Sequence, residues 1–203
     1  TALLDATEAT PVTWVIDPID GTVNYLYQLP AYAVSVAATV ADASAPAAGS
    51  GNTHDGRRAI AGAVYAPVTD ELYVAWEGGG ATLNGAPISV SPEDDLSRAL
   101  VGTGFGYTVE RRTEQANVAR HLIPQIRDLR RMGSASIDLC MIAAGRLDAY
   151  YERGLHPWDY AAGVLIAREA GAEVLGRDAA SLPGEPMLIA GPRPLAGALR
   201  AAV

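Results

Sequence analysis

The strand signals in this chain crowd into its first half, and helical patterns enter only in the second. Residues 12–16, Val-Thr-Trp-Val-Ile, form a short β-rich run. Pro18 follows; it cannot donate to a sheet ladder and biases Asp17 to an extended conformation, so the strand is expected to end there. Residues 32–40 read as a second strand. Residues 59–66 and 71–76 read as a pair joined through Pro67-Val68-Thr69-Asp70. Asn84-Gly85 is a hairpin signal between strands at 81–83 and 87–90. The intervening stretch 41–56 is rich in Ala, Ser, Gly, Pro and Asn and reads as a loop.

After residue 100 the pattern changes. A strand is expected at 100–102, a helix at 109–122, and a second helix at 134–144 with Ile137, Cys140, Met141 and Ala144 on one face. Residues 147–152 read as a strand. Pro157 suits the first turn of a helix over 157–170 and Gly171 its end. Short strands at 174–175 and 187–190 and a helix at 194–202 complete the chain. The order predicts an α/β (α+β) protein with mixed sheets, divided into an N-terminal lobe over 1–100 and a C-terminal α/β lobe over 101–203, not a strict β-α-β alternation.

Composition narrows the function classes. Hydrophobic residues make up 49% and charged residues 19% of the 203, which is globular. A net charge of −8 argues against a broad basic surface for nucleic acid or anionic membranes. It leaves anionic substrates open, because bound cations invert a local field. No apolar stretch approaches the ~18 residues of a membrane span. The single cysteine, Cys140, allows no disulfide within the chain, and its apolar neighbours read as core.

Two acidic constellations carry the chemistry. Asp17-Pro18-Ile19-Asp20-Gly21-Thr22 follows the first strand. A hard dication such as Mg²⁺ takes oxygen ligands, typically a few carboxylates plus phosphate and water. Asp17 and Asp20 on a tight turn supply two, and the backbone carbonyl of Ile19 lies between them. Gly21 allows close approach of backbone to a ligand, and Thr22 places a hydroxyl beside it. The second constellation, His156-Pro157-Trp158-Asp159, opens a helix. Asp159 there suits the helix dipole or a metal, while Ala161, Ala162 and Gly163 let the helix approach a neighbour closely. Trp158 reads as packing and His156 as a cap or supporting group.

These strings resemble the inositol monophosphatase family. Trp14 to Tyr25 is similar to its first signature, and Trp158-Asp159-Tyr160-Ala161-Ala162-Gly163, running to Glu169-Ala170-Gly171, to its second. Gly133-Ser134-Ala135 and Asp148 to Glu152 resemble segments lining the family's substrate pocket. Gly102 to Tyr107 and Arg130 to Glu152 look like the bacterial SuhB-type inositol-1-monophosphatases. Tyr25 stands where phenylalanine is usual, and Ala172 replaces a glycine.

The resemblance implies a layered sandwich of helices and mixed sheets that hydrolyses a phosphate monoester, inositol 1-phosphate first. It implies Asp17, Asp20 and Asp159 as metal ligands, with Ile19 ligating through its carbonyl. Gly21 and Thr22 would bind phosphate, and Thr22 would help activate the attacking water. Glu152 would bond substrate hydroxyls, with Gly133, Ser134 and Ala135 on the sugar side and Asp159 also facing the substrate. Magnesium is the implied cofactor, with manganese as a substitute and lithium as an inhibitor. A homodimer and a cytoplasmic location are implied as well.

The resemblance further implies a helical segment and a metal-ligating glutamate ahead of the first signature. Glu8 is too near Asp17 to be that glutamate, so either residues precede Thr1 in the complete polypeptide, which is the favoured expectation, or the chain is a natural variant without that segment. Without them the first strand would show apolar surface. Fructose 1,6-bisphosphate and 3′-phosphoadenosine nucleotides are the alternative substrates. A non-catalytic regulatory module acting through a protein partner is the alternative class.

Overall fold

The structure, a computed structural model, describes residues 11–42, 56–184 and 186–203. Most of the 41–56 loop, and Glu8, lie outside the described residues. Among the described residues eleven strands form two sheets. The first is antiparallel throughout and runs in sequence order: β1 (Thr13–Asp20), β2 (Ala33–Ala41), β3 (Arg57–Ala66), β4 (Glu71–Trp76), β5 (Ala81–Leu83) and β6 (Ala86–Pro87). A short helix α1 (Thr22–Leu26) interrupts it after β1. The second sheet is mixed. It uses β7 (Leu100–Thr103), β8 (Asp128–Arg130), β9 (Ala149–Arg153), β10 (Glu173–Leu175) and β11 (Met187–Gly191) in the order β10-β11-β9-β7-β8. Strand β7 pairs parallel with β8 and β9, and the other pairs are antiparallel.

Helices fill the remaining layers. Between the sheets lie α3 (Ala135–Ala143) and α4 (Pro157–Glu169), which share one core with β2–β5 and a second with β9–β11. Helices α2 (Val109–Leu122) and α5 (Arg193–Ala202) cover the other face of the second sheet around Val101, Leu122, Ile189, Leu195 and Leu199. The central layer is tight because it is built on small residues. A Cβ at Gly62 of β3 would fall 3.1 Å from Ala162 Cα, and one at Gly163 would fall 2.8 Å from Leu139 Cβ. Close approach of this kind fixes where the start of α4 meets the first sheet. At its other end, Glu169 accepts the backbone N–H groups of Gly78 and Gly80 at 2.9 and 2.8 Å.

Several expectations need correction. Strand β1 does not stop at Asp17. It passes through Pro18 to Asp20, because β1 is an edge strand and the proline's missing donor faces no partner. Asp17 pairs with Ser35 and Asp20 with Ala33, so three steps on β1 match two on β2. That is a bulge with one extra residue. The hairpin at Asn84-Gly85 is present, with φ of 49° and 80°, but its second strand covers only Ala86–Pro87. Helix α3 is not one-faced: both sheets press on it, and every residue from Ala135 to Ile142 except Met141 is buried. Strand β8 was not expected. Trp158 is not packed inside but 47% exposed.

The outward face of β1 presents Trp14 and Ile16, 63% and 52% exposed. Among the described residues no helix is long and apolar enough to cross a membrane.

Candidate metal centre and substrate cleft

Successive strand residues face opposite sides, so Asp17 and Asp20, three apart, would diverge on a regular strand. The extra residue in the bulge restores them to one side. The bulge is held locally: Asp17 Oδ1 accepts the Ile19 N–H at 3.0 Å, and the Thr22 hydroxyl donates to the Ile19 carbonyl at 2.8 Å. Gly21 turns the chain into α1 with φ 87° and ψ 35°. Asn24 then ties α1 to both flanking turns, donating from Nδ2 to Ala31 O at 2.6 Å and to Met132 O at 2.8 Å.

Asp20 is buried against the start of α3. Its Oδ2 accepts from Ser134 Oγ at 2.7 Å, Ser136 N–H at 2.8 Å and Ser136 Oγ at 2.5 Å. Asp159 arrives from α4, where its Oδ2 accepts the His156 N–H at 2.7 Å. Carboxylate oxygens of Asp17, Asp20 and Asp159 lie within 4.8 Å of one another. Burial, opposed by the His156 N–H and reinforced by the two neighbouring aspartates, pushes Asp159 up to about 6. Burial also raises Asp17, against the Ile19 N–H. Such a set costs free energy when all three groups are ionised, and a dication relieves it. With oxygen donors only, it fits a hard cation such as magnesium.

The cluster opens on a cleft of about 410 Å³ that Ile19, Gly21, Thr22, Gly133, Ala135 and Glu152 also line. Glu152 stands at the end of β9, where its carboxylate is held inside the cleft. Tyr150 OH donates to its Oε2 at 2.5 Å, Gly104 leaves room for it, and burial lifts it to about 7 against the pull of Tyr150 and Arg131. Ser134, grouped with the sugar-side residues, does not reach the cleft: it caps α3 and holds Asp20. His156 caps α4 as expected, and its ring stacks on Trp158 at 4.6 Å on the cleft wall.

Sequence reasoning gave no individual role to Ser136, Asn24, Tyr150, Arg111 or Arg131 in this region. Asn24 lies inside the first signature, Tyr150 inside the pocket-lining segment 148–152, and Ser136 and Arg131 inside the resembling run 130–152, while nothing in the sequence singled out Arg111. Sequence reasoning also gave no role to Asp138, in the first turn of α3, which is 1% exposed with neither carboxylate oxygen bonded. Burial first, then the charges of Glu152 and Asp20, hold its carboxyl well above the usual range. Below pH 3.8 the group is protonated folded and unfolded alike. Above it the unfolded chain releases a proton that the folded chain keeps, so this group lowers stability as pH rises. Asp138→Asn cannot titrate. It should add about 1–3 kcal/mol at pH 8 and little near pH 4, read from urea midpoints at the two pH values.

The inositol monophosphatase family model matches residues 4–202. The chain belongs to this family. It is 50% identical over 174 residues to the inositol-1-monophosphatase SuhB of Mycobacterium tuberculosis, covering 84% of this chain and 55% of that one. It is 43% identical over 164 residues to the Nus factor SuhB of Vibrio cholerae, covering 80% and 56%. The solved structure of Mycobacterium tuberculosis SuhB superposes with a TM-score of 0.79 at 46% identity, over 94% of this chain and 71% of that one. The chain thus spans just over half the length of the curated relatives it matches, and the fold is that of this inositol monophosphatase.

Proposed function

We propose that the complete protein hydrolyses a polyol phosphate monoester, inositol 1-phosphate foremost, with magnesium held by Asp17, Asp20, Asp159 and the Ile19 carbonyl. The observation that carries this reading is the convergence of three carboxylates, from two distant signatures, on one cleft. Dications bound there supply the Lewis acidity that polarises a phosphoryl oxygen and offsets its charge. The residues do the positioning, which is most of what phosphoryl transfer requires. Asp17, Asp20 and Asp159 fix the charge on one side of the cleft. Gly21 and Thr22 take the phosphate through backbone N–H groups. The Thr22 hydroxyl spends its proton on Ile19 O, which leaves its oxygen to accept from the attacking water. Glu152, held by Tyr150, bonds ring hydroxyls, and Gly133 and Ala135 line the sugar side. Lithium inhibition, manganese substitution, a homodimer and a cytoplasmic location belong to the same reading.

Phosphate release with magnesium, compared for inositol 1-phosphate, fructose 1,6-bisphosphate and a 3′-phosphoadenosine nucleotide, should give the highest kcat/KM for the first. A clear preference for the nucleotide would overturn the choice. Protons and metal compete for the same carboxylates. With Asp159 near 6, apparent magnesium affinity should be flat above pH about 7 and fall about tenfold per unit below about 6. Calorimetric titrations at several pH values would read this.

The relative named Nus factor SuhB supports a second reading, a regulatory role through a protein partner. Strong magnesium binding with no turnover of any of the three substrates would favour it.

A further inference from the structure

Helix α2 is exposed along most of its length, and its buried residues are Gln115, Ala119 and Leu122. Their spacing puts them on one face, so the first place of an otherwise apolar stripe is taken by an amide. Gln115 is 5% exposed. Its Oε1 accepts the Gly106 N–H at 2.7 Å, and its Nε2 donates to Gly104 O at 3.3 Å and to Arg153 O at 3.4 Å. Only one orientation of the amide serves these partners, with the oxygen toward the N–H and the nitrogen toward the two carbonyls.

These three backbone groups flank Glu152. The parallel pairing of β7 with β9 ends at Thr103 and Tyr151. Beyond that pair, Glu152 and Arg153 are held by the ladder on the β11 side alone, through Leu188 and Met187. On the β7 side the carboxylate of Glu152 lies directly on Gly104. A Cβ there would fall 2.0 Å from Glu152 Oε2 and 2.2 Å from its Cδ. Gly104 does not hold a positive φ, so its missing side chain answers a need for space. Gln115 Nε2 spans this gap, from Gly104 O on one bank to Arg153 O on the other. Each of its two bonds is long and weak by itself. Together they join the two segments at the point where the sheet stops joining them. An amide that only fastened α2 to the sheet could take any free backbone groups, and this one takes those that set the width of the glutamate's slot.

We propose that Gln115 is a positioning residue for substrate recognition: it fixes the separation of Gly104 and Arg153 and so holds the Glu152 carboxylate where it bonds ring hydroxyls. Gln115 does not itself line the cleft, whereas Gly104, Gly106, Glu152 and Arg153 do. It acts on the polyol end of the substrate and leaves the three aspartates untouched. This role rests on the phosphatase reading, in which Glu152 meets the ring.

The test measures kcat/KM of the complete protein with magnesium on inositol 1-phosphate and on 4-nitrophenyl phosphate, which has no ring hydroxyls. Gln115→Met keeps the length of the side chain and removes all three bonds. It should lower kcat/KM for inositol 1-phosphate by about tenfold or more, chiefly through KM. The loss for 4-nitrophenyl phosphate should stay within about threefold, as expected for a site that shares no partner with the metal centre. In a Glu152→Ala background the same change should cost inositol 1-phosphate nothing further, because residues that act through one contact are not additive. Gln115→Asn keeps the amide but is one methylene short, and it should show the same split between substrates if Gln115→Met does not fold. Equal losses on both substrates, no loss on either, or losses that add to those of Glu152→Ala overturn the role. If the native protein turns over neither substrate, the phosphatase reading fails, and calorimetry still decides Gln115. Native protein should then bind inositol 1-phosphate about tenfold more tightly than Gln115→Met while inorganic phosphate binds both alike. Equal affinities for inositol 1-phosphate overturn it.

Discussion

Replacing Asp17 with asparagine should lower magnesium-dependent phosphate release on the order of 10²–10³-fold, the scale seen when one preorganised charge-stabilising group is lost. Chelating the metal should remove activity altogether. Asp17 is the informative position because of how it is bonded. Its Oδ1 accepts the Ile19 N–H, and asparagine Oδ1 can keep that bond, so the bulge is preserved while the charge is lost. Asp20 offers no such clean change. Its Oδ2 accepts three hydrogen bonds from Ser134 and Ser136, and the neutral amide oxygen of asparagine would weaken all three charge-assisted bonds at once. Loss of activity in Asp20→Asn would therefore mix chemistry with a loosened start of α3. For Asp17→Asn the melting temperature should stay within a few degrees of native while kcat/KM collapses. Native-level activity in that variant would remove Asp17 from the metal centre and the assignment with it.

How much of this was legible in the sequence depends on how local each determinant is. Asp17, Asp20 and Asp159 were readable because each sits in a short string whose own turn or helix start positions it. The limits of α2 were readable too, because Thr108 caps it and its pattern is continuous. What sequence reasoning missed is long-range. Pro18 stays inside a strand only because β1 lies at a sheet edge, and edge position is a property of the assembled sheet. The run Ile137 to Ala144 looked one-faced, yet α3 is buried all round because a sheet lies on either side of it. Ser136 reaches Asp20 across 116 positions, and nothing local marks it. Asp138 was invisible for the opposite reason: a carboxylate near a helix start reads as a favourable solvent-exposed charge until burial is known. Strand β8 is polar and three residues long, and only its parallel pairing with β7 defines it.

Gly21→Ala should be the most damaging single methyl addition at the site. Gly21 holds φ 87° between Asp20 and Thr22, a left-handed conformation that costs other residues about 1–2 kcal/mol. The added Cβ would also lie 2.7 Å from Ala31 O and 3.2 Å from both Gly133 O and Tyr32 Cα. All three are backbone atoms, so no rotamer change can relieve the contact, and the chain itself must move. Overpacking of this kind costs a further ~1–3 kcal/mol. Together these predict a loss of about 2–5 kcal/mol, or a fall in melting temperature of roughly 5–15 °C for a chain of this size. The movement displaces Asp20 and Thr22 directly. Since a 1 Å misplacement can cost about 10²-fold, kcat should fall by at least tenfold even in the folded fraction. Gly85→Ala separates the two contributions. Gly85 has φ 80° but nothing within 4 Å of its missing Cβ, and it lies in the β5–β6 hairpin away from the cleft. It should lose only the ~1–2 kcal/mol of conformational strain and keep full activity. If the two variants lose equal stability and both remain active, the contact with Ala31 is not what holds the turn in place.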